Sequence, residues 1–226
     1  MGPLTRRYDF NGPIRSPNRS IAPLIMENTP DFSSILHHIA QHITFTEQDQ
    51  KLFTSMLRIK KVKRKQYIEQ PGFISTHRTF VVAGAFRAYV VGADGQEHTL
   101  SLAIDDGMIG DPGSFLLQEP ATLFVEALEE STIIQWSYEH EQLLLDKIPQ
   151  FSVAMMRRAQ LIALNIQRRV IAQLSLTAEE RYDEFAQNHP LLLQRIPLYI
   201  IASYLGMSRE FLSKIRQQKA MPDKRK

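Results

Sequence analysis

Apolar positions first fall into a regular pattern near residue 32. Phe32, Ile35, Leu36 and Ile39 recur at helical spacing, and Thr46-Glu47 opens a second helix ending near Met56-Leu57. The period then drops to two. Val62–Ile68, Thr79–Val91, Glu97–Ile104, Leu123–Leu128 and Thr132–Ser137 alternate as half-buried strands do. Ala93-Asp94-Gly95-Gln96 is a hairpin turn, and Pro71-Gly72 and Asp105-Asp106-Gly107 mark further turns. Short strands parted by turns over about 80 residues predict a small antiparallel barrel or roll.

After Tyr138 the helical period returns. Glu139–Leu145 is a short helix, Pro149 interrupts, and Phe151–Leu174 is predicted as one long helix. Its apolar positions, among them Phe151, Met155, Leu161, Leu164, Ile166, Val170 and Ile171, cover more than one stripe. A helix of that kind needs cover on two sides. One face on the roll and the other on a second copy of itself is the economical solution, so a homodimer is expected. Ser175–Thr177 reads as a hinge. Thr177-Ala178-Glu179-Glu180 caps a further helix to about Asn188, which His189-Pro190 ends.

The stretch Leu198–Arg216, LYIIASYLGMSREFLSKIR, reads as a helix-turn-helix. Ala202 lets the second helix approach the first. Gly206 sits at the sharp turn, where φ > 0 is tolerated without a Cβ. Ser208 can N-cap the second helix, with Glu210 in its first turn. Ile201, Leu205, Met207, Leu212 and Ile215 are spaced to bury the shared faces. That leaves Arg209, Glu210, Ser213, Lys214 and Arg216 pointing outward. Arg and Lys suit guanine O6/N7 or phosphate, and Glu can accept from cytosine N4.

Charge sharpens this picture. The chain of 226 residues carries a net charge of +3, unevenly spread. Residues 195–226 hold eight Lys/Arg against two Asp/Glu, whereas residues 26–194 carry −6. Positive charge gathered at the helix-turn-helix is what a phosphate-binding surface requires. The run Lys60-Lys61-Val62-Lys63-Arg64-Lys65 is better explained as a strand edge protected by lysines. Residues 1–25 hold four prolines and four arginines without periodicity, which predicts disorder. Met26 opens a segment that looks like a natural N-terminus, so residues 1–25 are expected to be a dispensable extension or a misassigned start. There are no cysteines, which removes disulfides, thiolate metal sites and a cysteine nucleophile. No apolar run reaches the roughly 20 residues that span a bilayer, and a cytoplasmic location fits.

The order of these elements resembles the Crp/Fnr superfamily of bacterial transcription regulators, over residues from about 30 to 217. The resemblance is most specific in Gly206-Met207-Ser208-Arg209-Glu210 followed by Lys214. It implies an α+β fold: a cyclic-nucleotide-binding-like antiparallel β-roll with N-terminal helices (26–148), a dimerisation helix (149–175) and a helix-turn-helix domain (176–226). It also implies base contacts from Arg209, Glu210 and Lys214, a phosphate contact from Ser208, and double-stranded DNA as partner, with RNA polymerase a further candidate. Gln70-Pro71-Gly72 matches the family's turn after the first strands. Gly110-Asp111, Ala121-Thr122 and Leu164-Asn165 fall at the positions of an effector pocket.

The pocket positions depart from the family. Cyclic-AMP binders carry Gly-Glu for the ribose and Arg-Ser about ten residues on for the cyclic phosphate. Here the pairs are Gly110-Asp111 and Ala121-Thr122, so the arginine is missing, and Leu164-Asn165 replace small hydroxyl residues. A buried cyclic phosphate would lack its bidentate partner. The expectation is a sensor that does not bind cyclic AMP, with effector unknown, no cofactor and no metal. His77 and His98 are read as ordinary strand histidines. After Arg216 only QQKAMPDKRK remains, too little for a β-hairpin wing. An enzyme is not expected: Glu97-His98 lacks the H-x-H of a cupin metal site, and no G-x-S-x-G, Walker or G-x-G-x-x-G motif occurs. Asp105-Asp106 and Glu129-Glu130 read as solvated turn acids. The alternatives are a cyclic-nucleotide-responsive regulator with a divergent pocket, and a helical module that binds protein in place of DNA.

Overall fold

The computed structural model describes residues 31–220. The expectations on residues 1–25, on Met26 and on the basic tail Lys224-Arg225-Lys226 lie outside the described residues.

Two helices lead into the strands. α1 (Ser33–Ala40) buries Ile35 and Ile39, and α2 (Glu47–Ser55) buries Phe53. α2 starts on a capping box in which Thr46 Oγ1 accepts from the Asp49 N–H at 3.1 Å and the Asp49 carboxylate accepts from the Thr46 N–H at 3.0 Å. The strands are β1 (Arg58–Val62), β2 (Tyr67–Glu69), β3 (His77–Ala83), β4 (Phe86–Val91), β5 (Glu97–Ala103), β6 (Met108–Ile109), β7 (Phe124–Ala127) and β8 (Ser131–Ser137). They form two antiparallel sheets, in the orders β1-β8-β3-β6 and β2-β7-β4-β5. Val62, Val81 and Ile133 of the first sheet share one buried cluster with Phe86, Ala88 and Val125 of the second. The expected roll is therefore two facing sheets around an apolar filling.

Two expected strands are each broken in two. Val62–Ile68 is split by a turn with Lys65 at φ 65°, closed by the Gln66 N–H on Lys63 O at 3.0 Å. Thr79–Val91 is split at Gly84, φ 135°, where a Cβ would lie 2.1 Å from Ser131 Oγ. Only glycine fits there, and the chain crosses from one sheet to the other. Neither segment alternates across its break: Lys63–Gln66 are all polar and Phe80–Phe86 all apolar or glycine, so a reading by strand-forming residues on either side runs straight over both. Lys60 and Lys61 lie on β1, an edge strand, and both side chains are exposed, in keeping with the protected-edge reading.

The helices that follow are α3 (Pro112–Leu117), between β6 and β7, then α4 (Tyr138–Lys147), α5 (Pro149–Ser175), α6 (Ala178–Asn188), α7 (Pro190–Arg195), α8 (Leu198–Leu205) and α9 (Arg209–Ala220). Phe53, Phe80, Ile134, Trp136, Leu144 and Phe151 form a second buried cluster, joining α2, α4 and the start of α5 to the outer face of β3 and β8. An ion pair closes it: Arg78 Nε and Nη2 donate to the Glu141 carboxylate at 2.5 and 2.6 Å, and Trp136 Nε1 donates to the same group at 2.9 Å. α5 runs 27 residues, yet only Phe151 and Ala154 in its first turns are buried. The expected hinge is a true break. α5 ends at Ser175, Leu176 is extended, and Thr177 starts α6 with a capping box to Glu180.

Candidate functional site

The helix-turn-helix is built as its residue offsets predict. Gly206 adopts φ 68°, and the Met207 N–H returns to Ala202 O at 3.0 Å, a left-handed helix stop that glycine takes without strain. Ser208 caps α9 by accepting from the Phe211 N–H at 3.1 Å. Ala202 is 1% exposed, and Ile201, Leu205, Leu212 and Ile215 are buried with it. Two inward anchors on α9, Leu212 and Ile215, fix which face remains outside. Arg209, Glu210, Lys214 and Arg216 are exposed there, and Ser213 is half-buried beside them. Gln217 is exposed as well and lies two turns after Glu210, on the same stripe. It extends the outward row and was not among the expected contacts, although the i+7 spacing from Glu210 was visible.

Two of the basic residues counted toward a DNA surface are committed elsewhere. Lys219 Nζ lies 3.1 Å from Glu179 and 2.9 Å from Asp183, bracing α9 on α6. Arg195 pairs with Asp105 at 2.8 Å and also with Glu129. The turn acids Asp105 and Glu129 are therefore not simply solvated, because they anchor α7 to the roll. Asp105 also accepts from the Gly84 N–H at 2.7 Å. More contacts join the same bodies: Ser203 Oγ on α8 accepts from the Thr99 N–H at 2.9 Å and donates to Glu97 O at 2.7 Å. Ala85 of the roll is buried in one cluster with Phe185, Ile200, Ile201 and Leu212.

The expected effector cassette, between β6 and β7, turns inward. Asp111 is 6% exposed and caps α3 through the Ser114 N–H at 3.1 Å. Its other oxygen accepts from the Thr122 N–H at 2.9 Å, the Thr122 hydroxyl at 3.2 Å and the Leu123 N–H at 3.2 Å. Burial disfavours the ionised carboxyl, but the donors of Thr122, Ser114 and Leu123 outweigh it and hold Asp111 below the usual carboxylate range. Gly110 backs onto Glu69, whose carboxylate accepts from the Asp111 N–H at 2.6 Å and the Ser75 hydroxyl at 2.8 Å. Burial pushes the Glu69 carboxyl up in spite of those donors. Ala121 is 4% exposed and pinned by backbone bonds to Phe73 and Gly72. Leu164 is half-buried and Asn165 exposed on α5, and no hydrogen bond links either to the cassette. His77 lies half-buried with Nδ1 2.8 Å from the Thr76 hydroxyl, and His98 is exposed.

Beyond its first turns α5 presents an unpaired apolar row. Met156, Ala159, Ala163, Ile166 and Val170 are all exposed and follow one another at alternating steps of three and four residues. That spacing is the one a helix-pair seam would use, and its alanines would permit close approach.

Residues 59–147 match the cyclic nucleotide-binding domain family. No curated protein matches the chain by sequence. Among solved structures it is similar to the c-di-GMP responsive global regulator CLP of Xanthomonas campestris, with 16% identity and a TM-score of 0.63 over 77% of this chain and 91% of that one. It is similar also to FixK2 of Bradyrhizobium japonicum, with 15% identity and a TM-score of 0.63 over 72% and 83% of the two chains. A protein assigned to the Crp/Fnr family from Eubacterium rectale has 17% identity and a TM-score of 0.62, over 77% of this chain and 83% of its own. No helix among the described residues is long and apolar enough to cross a membrane. Residues 59–147 thus match the cyclic nucleotide-binding domain family, and the chain as a whole has a fold similar to that of these regulators.

Proposed function

We propose that this chain is a sequence-specific, DNA-binding transcription regulator that acts as a cytoplasmic homodimer, is not an enzyme, and carries a roll that does not bind cyclic AMP. One observation supports it above the rest. α9 is locked by Leu212 and Ile215, while Arg209, Glu210, Lys214 and Arg216 stand exposed with no ion pair among the described residues. In this reading Arg209, Glu210 and Lys214 meet base edges, Ser213 and Gln217 flank them, and Ser208 and Arg216 meet phosphate. The seam from Met156 to Val170 pairs two copies and sets two recognition helices on one face of the duplex. RNA polymerase is a further partner of such a regulator.

A cyclic nucleotide fits the cassette poorly. Ala121 offers no charge to a phosphate, and the donors of Thr122 and Leu123 already serve Asp111.

The test is selection of genomic DNA fragments by the purified chain, with and without cyclic AMP and at two salt concentrations. A two-fold symmetric motif, unchanged by the nucleotide and weakened by salt, is the expected result. Enrichment that requires cyclic AMP would overturn the ligand assignment. No motif, with no salt-dependent affinity for duplex DNA, would make the C-terminal surface a protein-binding module.

A further inference from the structure

The donors of the β6–β7 cassette converge on a group supplied by the chain itself. Two backbone N–H groups and a hydroxyl, from Thr122 and Leu123, meet Asp111 Oδ2, and the Ser114 N–H meets Oδ1. Clustered N–H and O–H donors of this sort form an anion-binding concavity. Its occupant is covalently part of the wall. No Lys or Arg forms an ion pair with that carboxylate among the described residues, so its charge is balanced by dipoles alone. The seat is also stiff. Glu69 holds the Asp111 N–H from behind, Ser114 Oγ receives the Ser75 N–H at 2.8 Å and donates to Glu119 O at 2.6 Å, and Ala121 is bonded on both sides of its peptide.

We propose that Asp111 is the resident anion of this cassette and the residue that excludes phosphate-bearing effectors from it. An incoming phosphate would find its donors taken by the carboxylate, and a second negative charge there would face Asp111 with Glu69 behind it. The cassette's donors are therefore satisfied without a ligand. This deepens the reading of the roll as a sensor that ignores cyclic AMP, and rests on it only for calling the roll a sensor.

The experiment uses the full chain with inorganic phosphate as probe, against chloride at equal ionic strength. Thermal unfolding and the amide resonances of Thr122 and Leu123 are followed together. For the wild type, neither should respond saturably to phosphate or to cyclic AMP. Asp111→Gly removes the carboxylate; it should unfold at lower temperature in chloride and recover in phosphate. Roughly 5–10 °C is expected at about one-hundredfold excess over Kd. The Thr122 and Leu123 signals should move along the same titration. Asp111→Asn removes the charge while keeping an acceptor for the α3 cap, and covers the case in which the glycine variant does not fold. Its two amides should likewise respond to phosphate. Saturable movement of these amides in the wild type, or none in either variant, overturns the proposal. DNA binding is not read in this titration, so a failure of the regulator reading appears separately, in the fragment selection.

Discussion

Arg195 Nη1 donates to Asp105 Oδ2 at 2.8 Å, across 90 residues of sequence. The contact ties the helix before the helix-turn-helix to the turn between β5 and β6. It is half open to water, with Arg195 29% and Asp105 47% exposed at the side chain. A pair of that exposure contributes about 0.2–1 kcal/mol. Arg195→Ala should therefore shift the global unfolding midpoint only slightly while loosening the docking. The readout is hydrogen exchange at the Thr99 amide, which donates to Ser203 across the same interface. Faster exchange is expected, and more so at low salt; an unchanged rate would assign the docking to Ser203 and the apolar cluster around Ala85 alone.

Arg209 and Lys219 lie on one helix and should behave differently. Arg209→Ala should cost about 1–3 kcal/mol at the true operator and little on random DNA. Lys219 already serves Glu179 and Asp183, so Lys219→Ala should leave the preference among sequences unchanged. Fluorescence anisotropy with operator and scrambled duplexes separates the two. Equal losses on both duplexes for Arg209→Ala would make Arg209 a phosphate contact.

Ile166 is 52% exposed at the middle of the α5 seam. Ile166→Glu would place like charges opposite each other if two copies pair there, and should convert a dimer to a monomer with the roll intact. Sedimentation velocity reads the mass, and far-UV circular dichroism the fold. A dimer that survives the change would move the interface elsewhere.

His38 rests edge-on against Phe80, with ring centroids 5.3 Å apart. Burial, followed by Arg158, His42 and His37, depresses its pKa from 6.5 to about 4. In the folded chain it stays neutral where the unfolded chain would be protonated. Unfolding then takes up a proton, so stability is full above the unfolded pKa and falls as pH drops from 6.5 toward 4. His77 and His189, lowered by burial, act in the same direction, and the raised Glu69 acts against them. His38→Gln should flatten the decline. Urea midpoints taken at intervals from about pH 7 down to about pH 4 measure it, and an unchanged slope would remove His38 as a contributor.

The helix-turn-helix was the most legible part because its determinants are local. The turn at Gly206, the cap at Ser208 and the spacing of Leu212 and Ile215 each act within a few residues of themselves. The long helix and the break after Ser175 were legible for the same reason. The splits at Lys65 and Gly84 were not, since strand-forming residues flank both, and at Gly84 only the approach of Ser131, far away in sequence, demands the crossing. The helices α3 and α7 are six residues each, too short to show a period. Charge was the least legible quantity. Arg195 and Lys219 look like DNA contacts in a count, but their carboxylate partners Asp105 and Asp183 lie 90 and 36 residues away. The inward turn of Asp111 was hidden for a related reason, because its partners are backbone amides, which every residue carries.

The break at Leu176 has a mechanical consequence. α5 finishes before it and α6 opens on its own capping box after it, so the joint can bend without breaking a hydrogen bond in either rod. Arg181 spans it, holding Leu176 O at 2.9 Å and Leu205 O at 3.2 Å, so α6 and the end of α8 turn together. The 11 residues of α6 reach roughly 16 Å from that pivot. A tilt of about ten degrees would carry the far end of the lever some 3 Å, on the order of one base-pair rise along a duplex. In the proposed regulator, a single extended residue would thus trade angle for register.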